Sequence, residues 1–239
     1  MEQRDHAKKF LDKEPLKNSY LIARLDDEER NIYINDDPEA VLIESDGYIS
    51  MRGHKKGMIS LLSDLEENEY RFHAVDNVGY EAAEAVVQVE NDRSTWFFKR
   101  PRKYFEQPVI EAEELSEDDA EEINKYWGLQ GSDSTDYIAE RIRKGPAYGI
   151  KRDGELVAWT LTHYITKDVL NLGFLHVKED WRREGFAKAI TEHMCKHAEK
   201  NDLIPVVDIF QDNKPSISLA ETLGFQRISE HHWFGGIKG

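Results

Sequence analysis

The chain has 239 residues, 39% of them hydrophobic and 10% aromatic, and a formal charge of −15. This length suits one large domain or two small ones, and the charge argues against a nucleic-acid surface, which needs clustered Lys and Arg. No apolar run approaches the ~18 residues needed to cross a bilayer, and the start MEQRDHAKKF is charged where a signal peptide is apolar.

A soluble cytoplasmic protein is therefore expected, without internal disulfides because Cys195 is the only cysteine. Acidity suits cationic substrates such as amines, and equally serves solubility alone.

Apolar periodicity predicts helices near Ala7–Leu11 and Leu16–Leu25. Strands follow at Ile32–Ile34, at Ala40–Ile43 and, past an Asp46-Gly47 turn, at Tyr48–Met51. A helix over Met58–Leu65, a strand at Tyr70–Val75, a helix near Tyr80–Val89 and a strand at Thr95–Phe98 complete an α/β unit over 1–107. Lys99-Arg100-Pro101-Arg102-Lys103, with Pro108 beyond it, reads as a solvated linker.

Residues 108–239 form a second unit, opening with a strand at Val109–Ala112. Ser116, with Asp119 three places on, starts a helix that stops at Gly128. A helix over Asp136–Arg143 ends at Gly145-Pro146. Then come strands at Ala147–Lys151, Leu156–Tyr164 and Val169–Val177, a helix over Gly185–Lys200, and a strand at Pro205–Phe210. A short helix over Lys214–Leu223 and a strand at Phe225–Ile228 finish a mixed α/β sheet order.

The informative stretch is the turn from the strand at 169–177 into the next helix, Arg182-Arg183-Glu184-Gly185-Phe186-Ala187. A pyrophosphate needs converging amide donors, and a helix start offers unsatisfied N–H groups at the positive end of its dipole. Gly185 lets backbone come close to an anion, and two arginines add matching charge. Alone the pattern is weak. Downstream, however, lies Asn213-Lys-Pro-Ser216, followed by an apolar helix and Leu223-Gly224-Phe225.

Together these motifs resemble the GCN5-related N-acetyltransferase superfamily over residues 109–235, and more loosely its glycine N-acyltransferase-like branch. The resemblance implies a mixed central sheet flanked by helices, preceded here by a second α/β lobe. That lobe is either a degenerate half of the same kind or an unrelated domain. It also implies an acyl-CoA co-substrate, acetyl-CoA by default, an amine acceptor, no metal, and a monomer or homodimer. Pantetheine would pair with backbone at Leu175, His176 and Val177, and pyrophosphate would rest on Arg182, Arg183, Glu184, Gly185, Phe186 and Ala187. Asn213 and Ser216 would line the groove, although Asn213 also suits a helix N-cap before Lys214-Pro215.

The family's usual general base, a Glu on the strand before the loop, falls at Asn171, and its usual Tyr acid falls at Ala220. Neither residue can transfer a proton. The replacements considered are His163 and Tyr164, His176 and Asp208, with His163 and Asn171 taken as the catalytic pair. Positioning with a water as proton acceptor is a second route, and binding without turnover a third. Strict alternation along 169–177 sets His176 with Leu172 and Phe174, opposite Asn171 and Val177. His193 and His197 share a helix face, but without a third ligand they read as a polar flank, and Cys195 beside them as inert.

Overall fold

The computed structural model describes residues 2–25, 30–37, 39–101, 108–127 and 133–239. In chain order the first elements are α1 (Glu2–Leu11), α2 (Ser19–Leu25), β1 (Asn31–Asp36), β2 (Glu39–Ser45), β3 (Tyr48–Gly53), α3 (Lys55–Ser63), β4 (Asn68–Val75), α4 (Asn77–Ala83) and β5 (Gln88–Lys99). A two-residue strand, β6 (Glu113–Glu114), leads to α5 (Ala120–Asn124), α6 (Thr135–Lys144), β7 (Tyr148–Arg152), β8 (Glu155–Ile165) and β9 (Val169–Val177). The chain ends with α7 (Phe186–Lys200), β10 (Ile204–Phe210), α8 (Lys214–Thr222) and β11 (Gln226–Lys238). The order α-α-β-β-β-α-β-α-β thus occurs twice, from α1 to β5 and from α5 to β11.

These elements form two compact units that are not contiguous in sequence. The first comprises Met1–Phe97, Ile209–Asn213 and Arg227–Gly239, and the second Phe98–Asp208 and Lys214–Gln226. In the first unit the strands run β1-β2-β3-β4-β11-β5. Alternation along β2 buries Val41 and Ile43 under α1 and α2, and turns Ala40 and Leu42 toward α3 and α4. In the second unit the order is β10-β9-β8-β7-β6. One face packs Trp159, Leu161 and Phe174 against α5 and α6, and the other packs Val157, Ala158 and Val177 against Phe186, Ala189 and Ile190 of α7.

Each unit has antiparallel strands followed by one parallel pair, and in each that pair is short. In the first, β3 meets β4 only at Tyr48↔Arg71 and Ile49↔Phe72. In the second, β9 meets β10 at three pairs, Ile204↔Val169, Pro205↔Leu170 and Val206↔Asn171, after which both strands run on unpaired with each other.

Four expectations need correction. Val109–Ala112 is not a strand: Ile110 and Ala112 pack into the α7-side core, so their apolar character reflects burial and not pairing. The helix expected to Val89 ends at Ala83, because Gln88 already starts β5. The final strand does not stop at Ile228, since its far end pairs with β4, Lys238 opposite Asn68. Arg100 is no solvated linker residue, as its guanidinium forms a buried bidentate pair with Glu192 (2.7 and 3.2 Å). Arg102, Lys103 and the Gly128 stop lie outside the described residues. The Ser116 start holds, with Asp119 Oδ2 accepting from the Ser116 N–H at 2.9 Å. No helix of the described residues is long and apolar enough to cross a membrane.

Candidate active site

The parting of β9 from β10 defines the site. Beyond Asn171 the β10-side edge of β9 has no strand partner among the described residues, so its backbone groups are available to an extended ligand. A β-bulge helps to open this edge. Between the pairs Trp159↔His176 and Leu161↔Gly173, Thr160 alone faces Phe174 and Leu175, and Phe174 takes a left-handed φ of 55°.

The bulge also changes which side chains share a face. Paired residues lie on the same face, so Gly173 and His176 both lie on the side of Leu161 and Trp159. Asn171 lies on that side too, two residues from Gly173. The alternation expected from sequence, with His176 opposite Asn171, is therefore wrong: one extra residue at Phe174–Leu175 resets the period. The His176 ring stacks on Trp159 at 4.7 Å. Burial, then Arg182 and Lys178, lower its pKa.

At the end of β9 the chain turns into α7 through the loop at 178–185. Lys178, nearly buried, donates to Glu122 (2.6 Å) and Glu155 (2.8 Å) and anchors the turn. Arg182 donates its Nε back to the Val177 carbonyl at 3.2 Å. Arg183 (φ 70°) and Gly185 (φ 82°) are both left-handed, a sequence that turns successive amides to one side. A Cβ on Gly185 would meet only Ile110 Cδ1, at 3.7 Å, so glycine serves here for its φ more than for space. The first α-helical bond runs from Ala189 N–H to Gly185 C=O (3.0 Å), leaving the amides of Phe186, Ala187 and Lys188 outside the helix ladder. Residues 182–185 are exposed, while Phe186 is buried and fixes the helix start.

Where the strands part, a polar cluster sits on β8, β9 and β10. Asn171, buried, directs Nδ2 to Tyr164 Oη (3.2 Å) and Asp208 Oδ2 (3.4 Å). A second bulge places Tyr164 here, since β8 accommodates His163 as an extra residue between Thr162↔Leu172 and Tyr164↔Asn171. His163 covers Gly173, whose added Cβ would fall 2.1 Å from the imidazole Cδ2. Burial pushes its pKa down to about 4, the Arg141 charge acting in the same direction and Asp208 against it. His163 is thus neutral at neutral pH and a weak proton acceptor. Arg141 adds a cation beside it, with Nη1 on the His163 carbonyl at 2.8 Å.

Sequence reasoning named Tyr164 and Asp208 as candidates but missed Arg141 and the place of Gly173. The second had a signal, since an isolated glycine inside a strand marks a bulge or a close approach. Asn213, exposed, falls in the first unit immediately before α8, and Ser216 lies in the first turn of that helix. Ala220 is buried in α8. His193 Nε2 lies 3.1 Å from the Ile110 carbonyl and His197 Nδ1 3.2 Å from Tyr148 Oη. The Cys195 thiol is buried and pushed up to about 12.

A mixed sheet that parts beside a strand-to-helix loop is the fold seen in solved GCN5-related N-acetyltransferases. Residues 147–234 match the family model described as FR47-like protein. No curated protein matches the chain by sequence. Among solved structures, a Drosophila protein aligns with a TM-score of 0.73 at 17% identity, over 98% of this chain and 87% of its own. A GCN5-related N-acetyltransferase from Kribbella flavida gives 0.63 at 13% identity over 94% and 95%. A GCN5-related N-acetyltransferase-like protein from Streptococcus suis gives 0.61 at 13% identity over 98% of both chains. The last two alignments extend over nearly the whole length, first unit included. None of these comparisons points to the glycine N-acyltransferase-like branch.

Proposed function

We propose that the protein is an acyl-CoA-dependent N-acyltransferase, with acetyl-CoA as default donor and an amine as acceptor. The observation that carries this reading is the unpaired edge of β9 leading directly into the left-handed Arg183–Gly185 turn and the α7 start. That is one continuous path of backbone donors and acceptors, with a strand edge for the amides of pantetheine and a helix end for the pyrophosphate. Leu175, His176 and Val177 contribute backbone. Arg182 to Ala187 contribute amides and charge, and Asn213 and Ser216 are assigned to the groove by resemblance.

The chemistry falls to the Asn171, Tyr164 and Asp208 cluster. An amine arrives as ammonium and must lose a proton before it attacks the thioester carbonyl, and the carboxylate of Asp208 is the proton acceptor within reach of Asn171. Asn171 orients Asp208 and Tyr164, directly or through a water. As the tetrahedral intermediate collapses, the carbon–sulfur bond breaks, the leaving thiolate takes up the second proton of the nitrogen to give CoA, and the neutral amide remains on the acceptor. His163 acts as a neutral wall of the pocket. The first unit lacks an equivalent donor path, because Arg52, buried, reaches across from β3 to the Ala74 carbonyl (3.2 Å) and Asp76 (2.8 Å) where β3 and β4 part.

Thiol release with acetyl-CoA and a panel of amines tests the reading. Turnover with one good acceptor, falling about a hundredfold or more in D208N as expected for loss of a proton acceptor, is the supporting result. A second reading is a non-catalytic acyl-CoA-binding module, favoured by Asn171 and the buried Ala220 at the family's proton-transfer positions. Donor binding without turnover of any amine selects it, and a folded protein that binds no acetyl-CoA removes both.

A further inference from the structure

The first unit gathers six side chains that the acyl-transfer reading leaves without a role. Tyr20 and Arg24 come from α2, Tyr48 from β3, Arg71 and His73 from β4, and Trp233 from β11. A bulge assembles them: His73 and Ala74 (φ 53°) lie opposite the single residue Trp233. The His73 ring sits 4.8 Å from Trp233 and 5.0 Å from Tyr48, with Tyr20 Oη 3.4 Å from its Nδ1. Trp233 meets Tyr20 edge-on at 5.7 Å.

Two guanidiniums flank these rings. Arg24 donates Nη1 to Tyr20 Oη (3.2 Å), and Arg71 donates Nη1 to Tyr48 Oη (2.8 Å). Each also lies 5.5 Å from the centre of the ring whose hydroxyl it holds. Neither is in an ion pair among the described residues. Arg24 Nε and Nη2 are shielded from solvent and have no hydrogen-bond partner among the described residues. Shielded charged donors are costly unless matched, and Arg24 leaves two of them open at one aromatic cluster. These two atoms form one edge of the guanidinium, the edge that donates to both oxygens of a carboxylate side by side. His73 adds no charge: burial, then Arg24 and Arg71, push its pKa down to about 4.

We propose that the first unit holds a second binding site, for a small organic oxyanion, carboxylate or phosphate, carried on a flat apolar body. The Nε/Nη2 edge of Arg24, uncovered as the ligand displaces the side chains over it, grips the oxygens, Arg71 supplies the second charge, and Trp233, Tyr20 and Tyr48 supply stacking surface. This site is independent of the donor path in the second unit.

Calorimetry on the full chain tests it with benzoate, phenyl phosphate and inorganic phosphate, and with benzamide as the neutral shape control. The expected result is binding of benzoate or phenyl phosphate and none of benzamide. The aromatic anion that binds more tightly identifies the oxyanion, and inorganic phosphate shows how much the ring contributes. R24Q should weaken binding roughly ten- to a hundredfold, the effect of losing one bidentate charge-assisted contact, and R71Q less. Arg71 is exposed, so R71Q decides if R24Q fails to fold by circular dichroism. G185N, altered only in the donor loop, should bind these anions like the parent. Benzamide binding as well as benzoate, unchanged affinity in the folded arginine variants, or no anion binding at millimolar concentration each overturns the proposal.

Discussion

Gly185 is where the donor reading is most exposed to test. Its φ of 82° is open to Asn and Asp at modest cost, and a Cβ there meets nothing closer than Ile110 Cδ1 at 3.7 Å. G185N and G185D should therefore both fold, with nearly equal shape and one charge of difference. A carboxylate ~5 Å from one phosphate charge opposes it by about 3 kcal/mol at an effective dielectric of about 20, and by under about 1 kcal/mol in bulk water. Acetyl-CoA affinity in G185D should thus fall below that of G185N by roughly fourfold to two-hundredfold. Calorimetry at low and high salt measures the gap, which should narrow as salt screens the repulsion. Equal affinity of the two variants at low salt would falsify the placement of the pyrophosphate on this loop.

Two further predictions concern the residues around the site. In G173A the new methyl meets the His163 ring, and overpacking of this kind should cost roughly 1–3 kcal/mol in urea denaturation. H163A/G173A should then be no less stable than H163A alone, and an additive loss would mean the two do not touch. His163 and His73, both at about 4 against 6.5, are depressed groups. The unfolded chain takes up protons first, so stability is fully present above about pH 6.5 and lost as pH falls toward about 4. At pH 5 the loss should be about 2 kcal/mol for each. A denaturation midpoint flat from pH 7 to pH 5 contradicts their burial, and H163Q should remove one of the two contributions.

What could be read from the sequence was local. Arg182–Ala187 carries its own signals: a glycine at a strand-to-helix turn, neighbouring arginines, and an apolar helix beyond. Those signals depend on helix ends within a few residues, and the helix they announce starts at Phe186. The mixed α/β order and most element positions followed for the same reason, because periodicity of 2 or 3.6 is a property of short stretches. The loss of Glu and Tyr at Asn171 and Ala220 was likewise visible in the chain alone.

Whatever depends on pairing between distant residues was decided only by the tertiary structure. The bulge at Phe174 shifts one strand against its neighbour and brings His176 onto the face of Asn171, a change that no pattern along β9 encodes. Arg100 reads as linker until Glu192, 92 residues away, takes its charge. The last strand follows the second unit in sequence yet joins the first, since its backbone hydrogen bonds are satisfied by β4. Arg24, Tyr48, Arg71 and Trp233 sit on four separate elements, and only the packing of the first unit turns them into one cluster.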